Sequence, residues 1–86
     1  MAQPVSRGKH RRVKKIARPV SARQKFAAGV RSERRAQGLS QEQLGERVGM
    51  QPAYIGAIER AEKNVTVDTM ERIATALRVA LSDLLR

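Results

Sequence analysis

Two short helical segments, separated by Gly49, Met50, Gln51 and Pro52, set the strongest constraint on how this chain can fold. Ser40 followed by Gln43 has the S-x-x-Q form of a capping box, in which the two side chains satisfy free amides at a helix start. That predicts a helix over 41–48, with Leu44 and Val48 on one face. Gly49 can take the left-handed backbone that reverses a chain, and Pro52 suits the first turn of a new helix, where its missing N–H is harmless. A second helix over 52–60 then turns Ile55 and Ile58 inward. Gly45 is small where the two helices must approach. Residues 41–60 thus have the spacing of a helix-turn-helix, although a plain helical hairpin would use the same apolar positions.

The flanking residues extend the helical pattern. Ser21 and Gln24 repeat the capping box just past Pro19, and Phe26, Ala27 and Val30 share a face before Gly38 supplies a stop, which gives a helix over 22–37. Ala61 to Val65 reads as a loop. Thr66 can cap the next helix, with Asp68 favourable in its first turn. Met70, Ile73, Ala74 and Leu77 define its buried stripe through about residue 78, and Leu81, Leu84 and Leu85 suggest a last short helix. No strand pattern occurs. The fold class is all-α, with five helices in one small domain.

Charge divides the chain in two. Residues 1–32 hold ten Lys/Arg and no acid, whereas residues 33–86 hold eight of each sign, so the net charge of +10 sits at one end. Residues 1–20 contain Pro4, Pro19 and only Val5, Val13, Ile16 and Val20 as sizeable apolar residues. Such a segment buries too little surface to order itself, so a flexible basic arm over 1–20 and a globular domain over 21–86 are expected. The chain has no cysteine, and its one histidine, His10, belongs to the arm. No nucleophile–base set, paired carboxylates, metal cluster or Gly-rich phosphate loop is present, so neither an enzyme nor a metal or cofactor is expected. No run reaches the roughly 18 apolar residues of a membrane span, and residues 1–20 lack the apolar h-region of a signal peptide, so no export is expected.

From Val30 to Leu85 the chain closely resembles the Cro/C1 repressor-like (lambda-repressor-like, XRE-type) helix-turn-helix family. The resemblance rests on Gly38-Leu39-Ser40-Gln41-Glu42-Gln43-Leu44-Gly45, Val48-Gly49, Tyr54-Ile55, Ile58-Glu59-Arg60, Ile73-Ala74, Ala76-Leu77, Val79 and Leu81-Ser82-Asp83-Leu84-Leu85. It implies a five-helix domain that binds duplex DNA, usually as a dimer on a palindromic site. It also implies that Gln41 meets phosphate at a helix N-terminus and that Arg34 and Glu59 form a structural ion pair. Family members read bases from the first, second and sixth residues of the third helix. Those positions are Pro52, Ala53 and Ala57 in this chain. None can make the bidentate hydrogen bonds that discriminate bases strongly, though Ala53 and Ala57 can touch a thymine methyl. Gln51 and Tyr54 are the nearest polar groups, and Arg60 and Lys63 stand where phosphate can be clamped. Ala61 and Arg78 replace glycines common at helix ends in the family.

The arm residues Arg7, Lys9, Arg11, Arg12, Lys14, Lys15 and Arg18 are expected to contact DNA phosphates or an A/T-rich minor groove. Leu81, Leu84 and Leu85 are candidates for self-association, unless they complete the monomer core. The leading expectation is a cytoplasmic, nucleoid-associated transcriptional regulator, a dimeric repressor or autoregulator of bacterial or phage-like type. Two others compete with it: an architectural DNA-binding protein of weak selectivity, and an antitoxin-like module whose basic tail engages a protein partner.

Overall fold

Ser21 and Ser40 both cap helices, as their spacing predicts. The computed structural model describes residues 21–86. The arm over 1–20, with Arg7, Lys9, Arg11, Arg12, Lys14, Lys15 and Arg18, lies outside the described residues. Helix α1 spans Ala22–Ala36, and Ser21 Oγ accepts from the Gln24 N–H at 3.1 Å while Gln24 Oε1 accepts from the Ser21 N–H at 3.0 Å. Helix α2 spans Gln41–Val48, where Ser40 and Gln43 make the same reciprocal pair at 2.9 and 2.8 Å. Helix α3, Pro52–Glu59, opens on its proline. Helix α4, Val67–Leu77, starts where Thr66 Oγ1 accepts from the Thr69 N–H at 3.1 Å. Helix α5, Leu81–Leu84, is one turn long, with the Asp83 carboxylate accepting from the Ala80 N–H at 3.2 Å. Among the described residues there is no strand.

The apolar positions of all five helices converge. Helix α1 packs on α3, α4 and α5, and α2 lies across α3 and α4. Phe26, Val30, Leu44, Ile55, Ile73 and Leu77 are fully buried at the centre, and Val48, Ile58, Ala74 and Leu84 close the cluster. Fully burying a side chain of this size removes enough apolar surface to contribute about 1.5–3 kcal/mol, which is how so short a chain holds five helices. Leu84 is only 2% exposed, so it completes the monomer core and presents no surface to a second copy. Leu81 and Leu85 remain half-buried at the core's edge.

Four helix ends use one device. After α1, α2, α3 and α4 a residue turns left-handed: Gly38 at φ +70°, Gly49 at +86°, and Ala61 and Arg78 both at +59°. In each case the next residue's N–H reaches back to a carbonyl of the last turn, as Leu39 does to Arg34 and Val79 to Ala74, both at 3.0 Å. These bonds satisfy otherwise orphaned carbonyls. An L-residue with a Cβ bears about 1–2 kcal/mol of strain in that conformation, so Ala61 and Arg78 hold it only because those bonds fix the turns. Replacing either by glycine relieves the strain, partly offset by the greater freedom of glycine in the unfolded chain. Ala61→Gly and Arg78→Gly should each stabilise by about 0.5–1 kcal/mol, read as a rise of a few degrees in Tm. An unchanged or lowered Tm in both variants would refute strain at these positions.

Candidate nucleic-acid interface

The unit formed by α2 and α3 is held from behind by a buried ion pair. Arg34 of α1 donates from Nε to Glu59 Oε2 at 2.6 Å and from Nη2 to Glu59 Oε1 at 3.0 Å. Its remaining nitrogen, Nη1, donates to the Leu39 carbonyl at 2.8 Å. The two side chains are only 10% and 3% exposed. The guanidinium therefore ties α1, the turn before α2 and the end of α3 at one point, as the family resemblance implies. Burial alone pushes the Glu59 carboxyl upward, but the hydrogen bonds from Arg34 and Gln41 and the fields of Arg34 and Arg31 outweigh it and hold the carboxyl below its ordinary range. The hydrogen bonds to Glu59 in turn raise Arg34 above its ordinary value.

Gln41 opens α2 and is half-buried. Its Nε2 donates to Glu59 Oε1 at 3.1 Å, so in the free protein the side chain is engaged inside the fold. The amides of the first helical turn are another matter. Gln43 N–H is capped by Ser40 and Leu44 N–H by the Ser40 carbonyl, whereas the Gln41 and Glu42 N–H groups precede any intrahelical partner. Two amides at the positive end of a helix suit a phosphate.

The turn between α2 and α3 is tight. The Gly49 and Met50 N–H groups both donate to the Gly45 carbonyl, at 2.7 and 2.8 Å. A Cβ on Gly45 would stand 2.5 Å from the Met50 carbonyl oxygen. The close approach thus involves the turn's own backbone more than the facing helix. From α4, Arg72 Nη2 donates to the Val48 carbonyl at 2.6 Å and fixes the end of α2.

Gln51, Pro52 and Ala53 are exposed at the entrance to α3. Ala57, expected to reach a thymine methyl, is only 8% exposed, so the readable edge of the helix shrinks to its first turn. Tyr54 is half-buried with its ring packed against the core cluster, and Lys63 Nζ stands 5.8 Å from the ring centroid. Arg60 is bidentate to Glu62, at 3.0 and 3.2 Å. Its guanidinium folds back over Gly56, where a Cβ would lie 3.2 Å from Arg60 Nη1 and 3.4 Å from the Gln41 side-chain amide. The structure thus gathers Gln41 and Arg60 over Gly56, with Glu59 and Arg34 bonded behind Gln41, and places Lys63 apart from them beside Tyr54. Gly56 was not legible as a site residue, since its role depends on side chains folded over it. Arg31 and Arg35 on α1 line a groove with Arg60, and only their i,i+4 spacing hinted at a shared face.

A helix-turn-helix unit locked from behind and exposed at the N-terminus of its second helix defines a DNA-docking domain. The family described as Helix-turn-helix matches residues 30–84, and the chain belongs to this Cro/C1-type family of DNA-binding transcriptional regulators, a non-enzymatic class. It is 47% identical over 60 residues to the control protein C.SmaI of Serratia marcescens, covering 70% of this chain and 71% of that protein. It is 43% identical over 47 residues to the control protein C.BamHI of Bacillus amyloliquefaciens, covering 55% and 58%. Among solved structures it is similar to the restriction-modification controller protein C.AhdI from Aeromonas hydrophila. That match has a TM-score of 0.68 and 37% identity over 72% of this chain and 94% of the other. No helix among the described residues is long and apolar enough to cross a membrane.

Proposed function

We propose that the chain is a cytoplasmic, nucleoid-associated homodimeric regulator of the restriction–modification controller type, docking α3 in the major groove of a palindromic operator. The carrying observation is the locked α2–α3 unit, which leaves Gln51, Pro52 and Ala53 exposed where a recognition helix meets bases. The likeness to two control proteins and to a controller structure supports the same reading. Phosphate falls to the first amides of α2, to Gln41 once released from Glu59, and to Arg60, Lys63 and the basic arm. Self-association falls to Leu81, which borders a hollow of about 230 Å³ beside α4, and to Leu85, half-buried at the core's edge.

A second reading draws on the first turn of α3. Pro52 and Ala53 offer no hydrogen-bonding side chain, which favours a weakly selective architectural protein whose grip comes from phosphate. Selection of bound sequences from random duplexes, with the full chain and with residues 1–20 removed, separates the two. The regulator should enrich a palindrome with half-sites about one helical turn apart. Absence of any enriched motif sinks the regulator in favour of the architectural reading. The arm carries seven Lys/Arg, and its removal should lower the slope of log K against log salt by about 0.9 for every phosphate it neutralises. A truncated chain with unchanged slope and affinity would remove the arm from the interface.

A further inference from the structure

Beside the α2–α3 unit, α1 and the junction after α3 enclose an open groove of about 560 Å³. Arg31 and Arg35 stand one helical turn apart on its α1 wall, with Ser32 between them and Arg60 opposite. Like charges at that spacing repel, and among the described residues neither Arg31 nor Arg35 has an acidic partner. The groove's one carboxylate, Glu59, is already engaged by Arg34 and Gln41. The charges of Arg31 and Arg35 are therefore left without a salt-bridge partner, and an anion is the ligand they suit.

The groove is also continuous with the docking side. Arg60 lies over Gly56 of α3 next to Gln41, at the N-terminus of α2. We propose that Arg31, Arg35 and Arg60 form a cleft for the phosphodiester backbone of DNA flanking the site met by α3, and that Glu62 competes internally for it. Glu62 fills the guanidinium fork of Arg60 with two hydrogen bonds. A phosphate satisfies that fork in the same bidentate way. Binding then exchanges the Glu62 carboxylate for a phosphate, and the free protein keeps Arg60 neutralised until DNA arrives. The inference rests on the DNA-docking reading above and adds α1 to the contact surface.

The test measures the salt dependence of binding to a mixed-sequence duplex about three helical turns long, using the full chain. The Arg31→Gln/Arg35→Gln protein should show a slope lower by about 1.8, so that its affinity falls about twelvefold less than the unsubstituted protein's between roughly 50 and 200 mM salt. Arg47→Gln/Arg86→Gln removes equal charge outside the groove and should lower the slope by much less. Glu62→Gln should bind several-fold more tightly. Thermal melts confirm that each variant is folded, as the exposure of these side chains leads one to expect. If the groove pair lowers the slope no more than the distant pair while the unsubstituted chain binds, the cleft is overturned and DNA docking stands. A lowered slope with no gain from Glu62→Gln overturns the exchange alone. Failure of the unsubstituted chain to bind any duplex overturns both.

Discussion

Arg34→Ala should destabilise the domain by about 3–5 kcal/mol, the usual cost of leaving one partner of a buried ion pair behind. Three hydrogen bonds go at once. Glu59 loses both bonds from the guanidinium and keeps only Gln41, and the Leu39 carbonyl loses its donor. A domain of this size commands only about 3–10 kcal/mol in total, so the variant should be largely unfolded at moderate temperature. Where it folds, its Tm should fall by at least about 12 °C. The double variant Arg34→Met/Glu59→Leu should recover much of the loss, because well-packed apolar residues often replace a buried pair at little cost. If Arg34→Ala melts like the unsubstituted protein, the ion pair is not what holds α1 to α3.

The same pair sets an acid limit. The Glu59 carboxyl is held below its unfolded value near 4.5. A depressed carboxylate contributes stability that is full above the unfolded value and is lost as pH falls through the lower folded one. Unfolding curves should therefore be flat with respect to this group above about pH 5 and should weaken below about pH 4. Glu59→Leu in the Arg34→Met background should remove that part of the acid dependence. If the double variant keeps the full acid sensitivity, other carboxylates carry it.

Helix starts were legible because caps are local. Ser21 with Gln24, Ser40 with Gln43, Thr66 and Pro52 each state their role within four residues, and all four starts fall where these residues place them. The ion pair is different. Arg34 and Glu59 are 25 residues apart and no spacing rule links them; family resemblance supplied the pair, and the structure shows why the family needs it. Left-handed Ala61 and Arg78 run against residue preference; the resemblance marks both as positions where glycine is common, and the hydrogen bonds at those helix ends show why the conformation is kept. Leu84 carries the same apolar signature whether it fills a core or meets a second copy, and packing against α1 decides for the core. Arg31 and Arg35 carry no signal in the sequence beyond their i,i+4 spacing. Their meaning appears only when Arg60 is brought opposite them.

Gly29→Ala should destabilise the domain by about 1–2 kcal/mol, the reverse of what an alanine brings to most helix positions. In an exposed helix interior, alanine is better than glycine by about 1 kcal/mol. Gly29 lies in the middle of α1, however, where a Cβ would overlap the Leu84 carbonyl oxygen and stand 2.9 Å from both its carbonyl carbon and Cα. These are backbone atoms, so no rotamer change can make room. Either α1 bends or α5 lifts, and α5 is the weaker element, a single turn packed chiefly on α1 and α4. Lifting it exposes Leu84 and forfeits about 1.5–3 kcal/mol of burial, more than the gain in helix propensity. Overpacking of this kind commonly costs about 1–3 kcal/mol even where some relaxation is possible. Hydrogen exchange should locate the damage, with faster exchange at the amides of residues 80–86 and little change in α2 and α3. The variant should keep DNA binding as a monomer while losing whatever self-association depends on Leu81 and Leu85. A Gly29→Ala protein as stable as the unsubstituted one, with C-terminal amides equally protected, would show that α1 and α5 do not need this close approach.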